Sequence, residues 1–189
     1  MKKFLQEWGI YFLIVLVFLL IRFFVFVPVS VSGHSMDPTL ADGQRLIINK
    51  LAKVERFAIV TTKEPDAPET IAVKRVIGLP GDTVKMQDDV LTINGKKYDE
   101  PYLNTFKQKF AKDKLQTEYA YDPYFQKLAQ NTDTFTSNFE INVPQDAYFV
   151  LGDDRIVSKD SRIFGVVESQ LIQGEVALRY WPFKQFHLF

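Results

Sequence analysis

The chain has 189 residues, enough for one ordinary domain together with an anchor. Its 23 basic and 23 acidic residues cancel, so it offers no broad cationic surface to a phosphate backbone, and nucleic acid is not an expected partner. Cysteine is absent, which removes disulfides, thiolate metal sites and a cysteine nucleophile, and no HExxH pair, GxxxxGK[ST] loop or GxGxxG turn is present.

In chain order, the first element predicted is an apolar helix. Trp8 to Val27 reads WGIYFLIVLVFLLIRFFVFV with Arg22 as its one charge. Roughly twenty such residues, rising 1.5 Å each, cross a ~30 Å hydrocarbon core. Lys2 and Lys3 just before it are expected to stay on the cytoplasmic side. The expected layout is therefore a cytoplasmic N-terminus at 1–7, a transmembrane anchor at 8–28, a phospholipid membrane as partner and everything beyond outside the cell membrane. A cleaved signal peptide is the competing reading, but its apolar region is usually only ~7–15 residues long.

After Pro28 the pattern becomes alternating, with turn residues dividing short β-branched runs, so the fold class expected is mainly β. Predicted strands cover Val29–Ser32, Arg45–Asn49, Phe57–Thr62, Thr70–Ile77, Thr83–Met86, Val90–Ile93, Tyr148–Leu151 and Gly174–Trp181, and Asn94-Gly95 predicts a hairpin turn. The polar, Tyr- and Phe-rich stretch 99–144 reads as an inserted non-catalytic subdomain. Residues 29–98 and 145–189 are then the β domain that carries the chemistry.

Three segments stand out. Ser32-Gly33-His34-Ser35-Met36-Asp37-Pro38-Thr39-Leu40 lies just beyond the apolar run. A serine among Gly and Pro is by itself a turn residue, yet this SGxSMxPT pattern resembles the nucleophile box of bacterial type I signal peptidases. Ile71-Ala72-Val73-Lys74-Arg75-Val76-Ile77-Gly78-Leu79-Pro80-Gly81-Asp82 resembles the KRVIGxPGD box of the same family. Strand alternation puts Lys74 on one face with Ala72 and Val76, and Arg75 on the other. A lysine that serves as base must be uncharged, so its pKa has to fall far below the ordinary ~10.4, which burial against aliphatic side chains achieves. Gly152 to Gly165 is similar to the GDNRxxSxDSRxFG box.

The resemblance implies a Ser-Lys serine endopeptidase that removes signal peptides, with no cofactor and no metal. It implies Ser35 as nucleophile and its main-chain N–H as oxyanion donor, Lys74 as base, Ser158 hydrogen-bonded to the Lys74 amine, and Asp160, Arg162 and Asp153 as braces. Substrates would be exported preproteins with small residues at the −3 and −1 positions. Val31, Met36, Ile71 and Val73 are the candidate pocket walls. Two positions depart from the pattern: Asp154 stands where the family usually has Asn, and Gly33 where some relatives carry a hydroxyl that helps to hold the oxyanion. Among the rivals, a Ser-His-Asp hydrolase has only His34 and His187 to draw on. A non-enzymatic membrane-tethered factor for surface-fibre assembly is disfavoured because both members of the pair are present.

Overall fold

A computed structural model describes residues 2–189. The first element is helix α1, Lys2–Phe24. It ends there because Pro28 has no N–H and its ring would strike the carbonyl of residue 24, so the helix cannot run through it. The chain instead enters strand β1, Phe26–Ser30, and the expected anchor 8–28 is corrected at its outer end. Side chains in α1 are described without a break from Trp8 to Leu20, and Ile10 to Leu20 are exposed all round the helix. Among the described residues no helix is long and apolar enough to cross a membrane. The side chains of Lys2 and Lys3, on which the expected orientation rests, lie outside the described residues.

The mainly β class expected from the sequence is found. Beyond β1 come β2 (Arg45–Asn49), β3 (Ile59–Glu64), β4 (Ala67–Gly78), β5 (Thr83–Gln87), β6 (Val90–Ile93), β7 (Lys96–Tyr98), α2 (Asn104–Asp113), α3 (Pro123–Gln130), β8 (Phe139–Asn142), β9 (Ala147–Leu151), α4 (Ser161–Phe164), β10 (Val167–Glu168), β11 (Ile172–Trp181) and β12 (His187–Leu188). Among the described residues they form a larger sheet in the order β1-β2-β11-β3-β4-β9-β10, with β12 on β11, and a smaller one in the order β7-β6-β5-β8. Pro28 is accommodated because β1 is an edge strand, where one missing donor costs no ladder bond.

Ile77, Met86, Leu91, Ile93, Phe149 and Leu151 fill the space between the sheets. A second cluster, with Val31, Met36, Leu40, Leu46 and Ile48, lies under the turn that follows β1. The stretch 99–144 is not one unit, because its last part is β8, which pairs with β5 in the smaller sheet. The rest folds as two helices. Phe106 and Phe110 on α2 are buried with Leu115, Tyr119 and Phe135. Asp122 caps α3 through the Tyr124 and Phe125 N–H groups, and Pro123 opens its first turn.

Candidate active site

Lys74 lies in the middle of β4, opposite Val60 of β3, and Ser35 lies on the turn between β1 and β2. Only 3 % of Lys74 is exposed, and its Nζ donates to Ser35 Oγ at 3.0 Å. Burial is the main cause that draws the Lys74 ammonium below the ordinary lysine range; Asp160, Glu64 and Asp153 oppose it and Lys159 adds to it. An amine held this way can accept a proton from a hydroxyl at hydrogen-bond distance.

The loop from Gly152 to Ser161 closes the back of the site. Asp153 is fully buried and takes both Nε (2.8 Å) and Nη2 (2.6 Å) of Arg75 in a fork, while Thr39 Oγ1 donates to the same carboxylate at 2.5 Å. Arg75 also donates to the Phe57 carbonyl and lies over the Tyr102 ring. The turn that carries Ser35, β4 and the loop are thus tied at one carboxylate. Asp160 accepts from Arg162 Nε at 2.8 Å and from Nη2 at 2.7 Å, and its Oδ2 accepts the Gly152 N–H at 3.0 Å.

The expected Ser158–Lys74 hydrogen bond is not formed. Ser158 Oγ is buried with no hydrogen-bond partner among the described residues. The lysine amine is turned to Ser35, and Ser158 packs against Gly152. That glycine is required by close approach: a Cβ there would lie 2.5 Å from Ser158 Cβ, and closer still to Ser158 Oγ and the Ser35 carbonyl oxygen. Gly33 is required for another reason, since its φ of +85° is a conformation that residues with side chains rarely adopt, while its N–H donates to Asp42. His34 turns away from Ser35. Its Nδ1 lies 2.9 Å from Asp37 Oδ2, and its ring packs on Tyr121 and Phe125.

A cavity of about 600 Å³ opens beside Ser35 and Lys74. All four candidate wall residues, Val31, Met36, Ile71 and Val73, line it, together with Val29, Ala72, Glu64 and Lys159. Two strand edges flank it. β1 pairs with β2 alone, and the part of β4 from Ala67 to Val73 pairs with β3 alone among the described residues, since the β9 ladder begins only at Arg75. Glu64 and Lys159 were not foreseen. Lys159 Nζ lies 2.6 Å from Glu64 and 3.0 Å from Asp66, a pairing across more than ninety residues that no local spacing announces.

A β scaffold that holds a buried lysine against a serine hydroxyl at the rim of a cleft has the arrangement of a serine hydrolase. Residues 5–181 match the description "Signal peptidase, peptidase S26", and the chain belongs to that family and is a peptidase. It is 44 % identical to a signal peptidase I of Streptococcus pneumoniae, over 96 % of this chain and 95 % of that one. It is 40 % identical to signal peptidase IB of Staphylococcus aureus, over 98 % and 94 %. The crystal structure of a signal peptidase I from Enterococcus faecalis aligns with a TM-score of 0.51 at 33 % identity, covering 66 % of this chain and 97 % of the other. The non-enzymatic assembly role weighed from the sequence finds no support in these relatives.

Proposed function

We propose that this peptidase cleaves signal peptides from exported preproteins by a Ser-Lys mechanism. The observation that carries the reading is the placement of the amine: Lys74 Nζ is buried, and 3.0 Å from Ser35 Oγ. Lys74 takes the hydroxyl proton as Ser35 Oγ attacks the carbonyl carbon of the scissile bond. The Ser35 main-chain N–H receives the oxyanion. The tetrahedral species collapses as the Lys74 ammonium returns the proton to the departing amine, leaving an acyl-enzyme. Water, deprotonated by Lys74, then attacks the ester, and as the bond to Ser35 Oγ breaks the Lys74 ammonium returns the proton to that oxygen, releasing the signal peptide and restoring the pair.

The two open edges beside the cavity, Val29–Ser30 and Ala67–Val73, suit an extended peptide that adds main-chain hydrogen bonds on both sides. Val31, Met36, Ile71 and Val73 leave shallow apolar pockets, which favour small residues at the −3 and −1 positions. Asp153, Asp160 and Arg162 brace the loop, and Ser158 supports the site through its packing on Gly152.

α1 serves as the membrane anchor in this reading. The backbone of its 23 residues spans about 34 Å at 1.5 Å each, although the part whose side chains are described is by itself not long and apolar enough to cross, and the exposed Ile, Leu, Val and Phe side chains have no aqueous role. The N-terminus would then lie in the cytoplasm and the β domain outside. Turnover of a fluorogenic signal-peptide substrate by the full chain in detergent tests the proposal. Wild type should cleave, and Ser35→Ala and Lys74→Ala should each lose at least about 10³-fold in kcat. Equal turnover by all three would refute it.

A further inference from the structure

The helical part of the inserted segment reaches into the back of the site. Arg155 is fully buried and pairs with Glu100, which lies just before α2, and its Nη1 also approaches Thr136 Oγ1. Ile156 and Val157 pack into the insert's apolar cluster. Tyr121 and Phe125 hold the ring of His34, the neighbour of the nucleophile. Closest to the chemistry, Tyr119 donates from its hydroxyl to Asp154 Oδ1 at 2.5 Å. Asp154 in turn uses its main-chain N–H to hold the Ser35 carbonyl at 3.1 Å.

The surroundings of Asp154 do not suit a charge. It is 0 % exposed, and its Oδ2 has no hydrogen-bond partner among the described residues. The guanidinium groups nearby are committed elsewhere, Arg75 to Asp153 and Arg155 to Glu100. From the nucleophile turn Asp37 faces it with a charge of the same sign, tempered by His34; from the insert it meets Tyr119 and Tyr121, both held protonated chiefly by burial. The Ile156 and Val157 N–H groups favour an ionised carboxylate, but its Oδ2 would still be a buried oxygen without a well-formed hydrogen bond, which is more costly than a neutral acid or an amide.

We propose that Tyr119 and Asp154 are a positioning pair through which the insert sets the Ser35 main chain, with Asp154 working as an uncharged acid that takes the place of an amide. The proposal rests on the peptidase reading above. In support, burial outweighs the Tyr119 hydrogen bond and the nearby Ile156 and Val157 N–H groups, and pushes the Asp154 carboxyl up to about 7. Raising the pH through about 7 therefore charges Asp154, sets it against Asp37 and disturbs the link to Ser35.

The test is the pH profile of kcat for the full chain in detergent, each profile scaled to its own maximum, for wild type, Asp154→Asn and Tyr119→Phe. Wild type should decline on the alkaline side. Asp154→Asn should retain at least about threefold more of its maximal rate at pH 9.5, because no buried charge can form. Tyr119→Phe should lower kcat about tenfold with KM within twofold, as loss of a group that orients the nucleophile does. Superimposable alkaline limbs for wild type and Asp154→Asn, or an unchanged kcat in Tyr119→Phe, would overturn the proposal. A second readout needs no turnover. The thermal unfolding midpoint of Asp154→Asn should gain on wild type as pH rises from 4.5 to 8, since the native state holds a proton there that the unfolded chain releases. A constant difference, or an Asp154→Asn protein that does not fold, would also overturn it. If wild type itself fails to cleave, the peptidase mechanism falls, and the unfolding comparison still decides for Asp154.

Discussion

Replacing Lys74 with methionine removes the amine but keeps the length and volume of the side chain, and the structure predicts opposite effects on activity and stability. Lys74 is 3 % exposed, and among the described residues its side chain makes one hydrogen bond, to Ser35 Oγ, and no ion pair with a carboxylate. Losing that bond costs about 1 kcal/mol. Against this stands the penalty of keeping a strongly basic amine dry, 1.36 kcal/mol for each unit by which its pKa is depressed. Burying a methionine instead should give a net gain on the order of 1–3 kcal/mol near neutral pH, by analogy with buried charged groups replaced by apolar ones of similar volume. At about 2–4 °C per kcal/mol for a domain of this size, the unfolding midpoint rises by roughly 2–12 °C.

The pH dependence has a definite sign. Between the depressed native pKa and the ordinary lysine value of 10.5, the unfolded chain binds a proton that the native state does not, so wild-type stability rises with pH in that window. The advantage of Lys74→Met is therefore full below the native pKa, shrinks as pH climbs and is gone by about the ordinary lysine pKa. Differential scanning calorimetry at pH 6, 8 and 10 reads this, with turnover measured alongside. A methionine variant that is less stable than wild type at neutral pH, or whose advantage does not change with pH, would mean that the native lysine carries a proton like any surface amine.

Two further outcomes follow from the same geometry. Gly152→Ala pushes a methyl group onto Ser158 and the Ser35 carbonyl; it should cost about 1–3 kcal/mol by over-packing and, by displacing the nucleophile, about 10²-fold in kcat, and a variant with kcat within threefold of wild type would count against that close approach. Glu64→Gln removes an anion that favours protonated Lys74, so the acid limb of kcat/KM should move to lower pH, whereas Lys159→Ala should move it to higher pH; shifts in the same direction would show that the ion pair does not act on Lys74.

What the sequence revealed was mainly what is local. β2 and β6 match the expected strands residue for residue, since alternation with clear turns on either side is enough to define them. β1 starts three residues earlier than expected, because its proline was taken as a boundary, although an edge strand tolerates one. β8 was hidden in the polar stretch: Phe-Glu-Ile-Asn has one weakly buried face, and only its pairing with β5 makes it a strand. Ser35 and Lys74, which the structure brings within 3.0 Å of each other, were candidates because each sits in a distinctive short run. Asp153, Asp160 and Arg162 lie in a third such run, but the contacts that reach the site from elsewhere in the chain were not legible. Tyr119 meets Asp154 across 35 residues, Glu100 meets Arg155 across 55 and Lys159 meets Glu64 across 95, and such contacts depend on tertiary packing that no short pattern encodes.

Helix α1 hands over to β1 through Val25 alone, and that residue is itself fastened, its carbonyl accepting the Lys50 N–H while Arg22 donates to the Phe26 carbonyl. The tether therefore has no slack. On the proposed function, with α1 in a bilayer, the strand that walls the cleft would stand at a set height above the lipid, and the molecule would measure off where along an emerging polypeptide the cut falls, in the manner of a ruler rather than a leash.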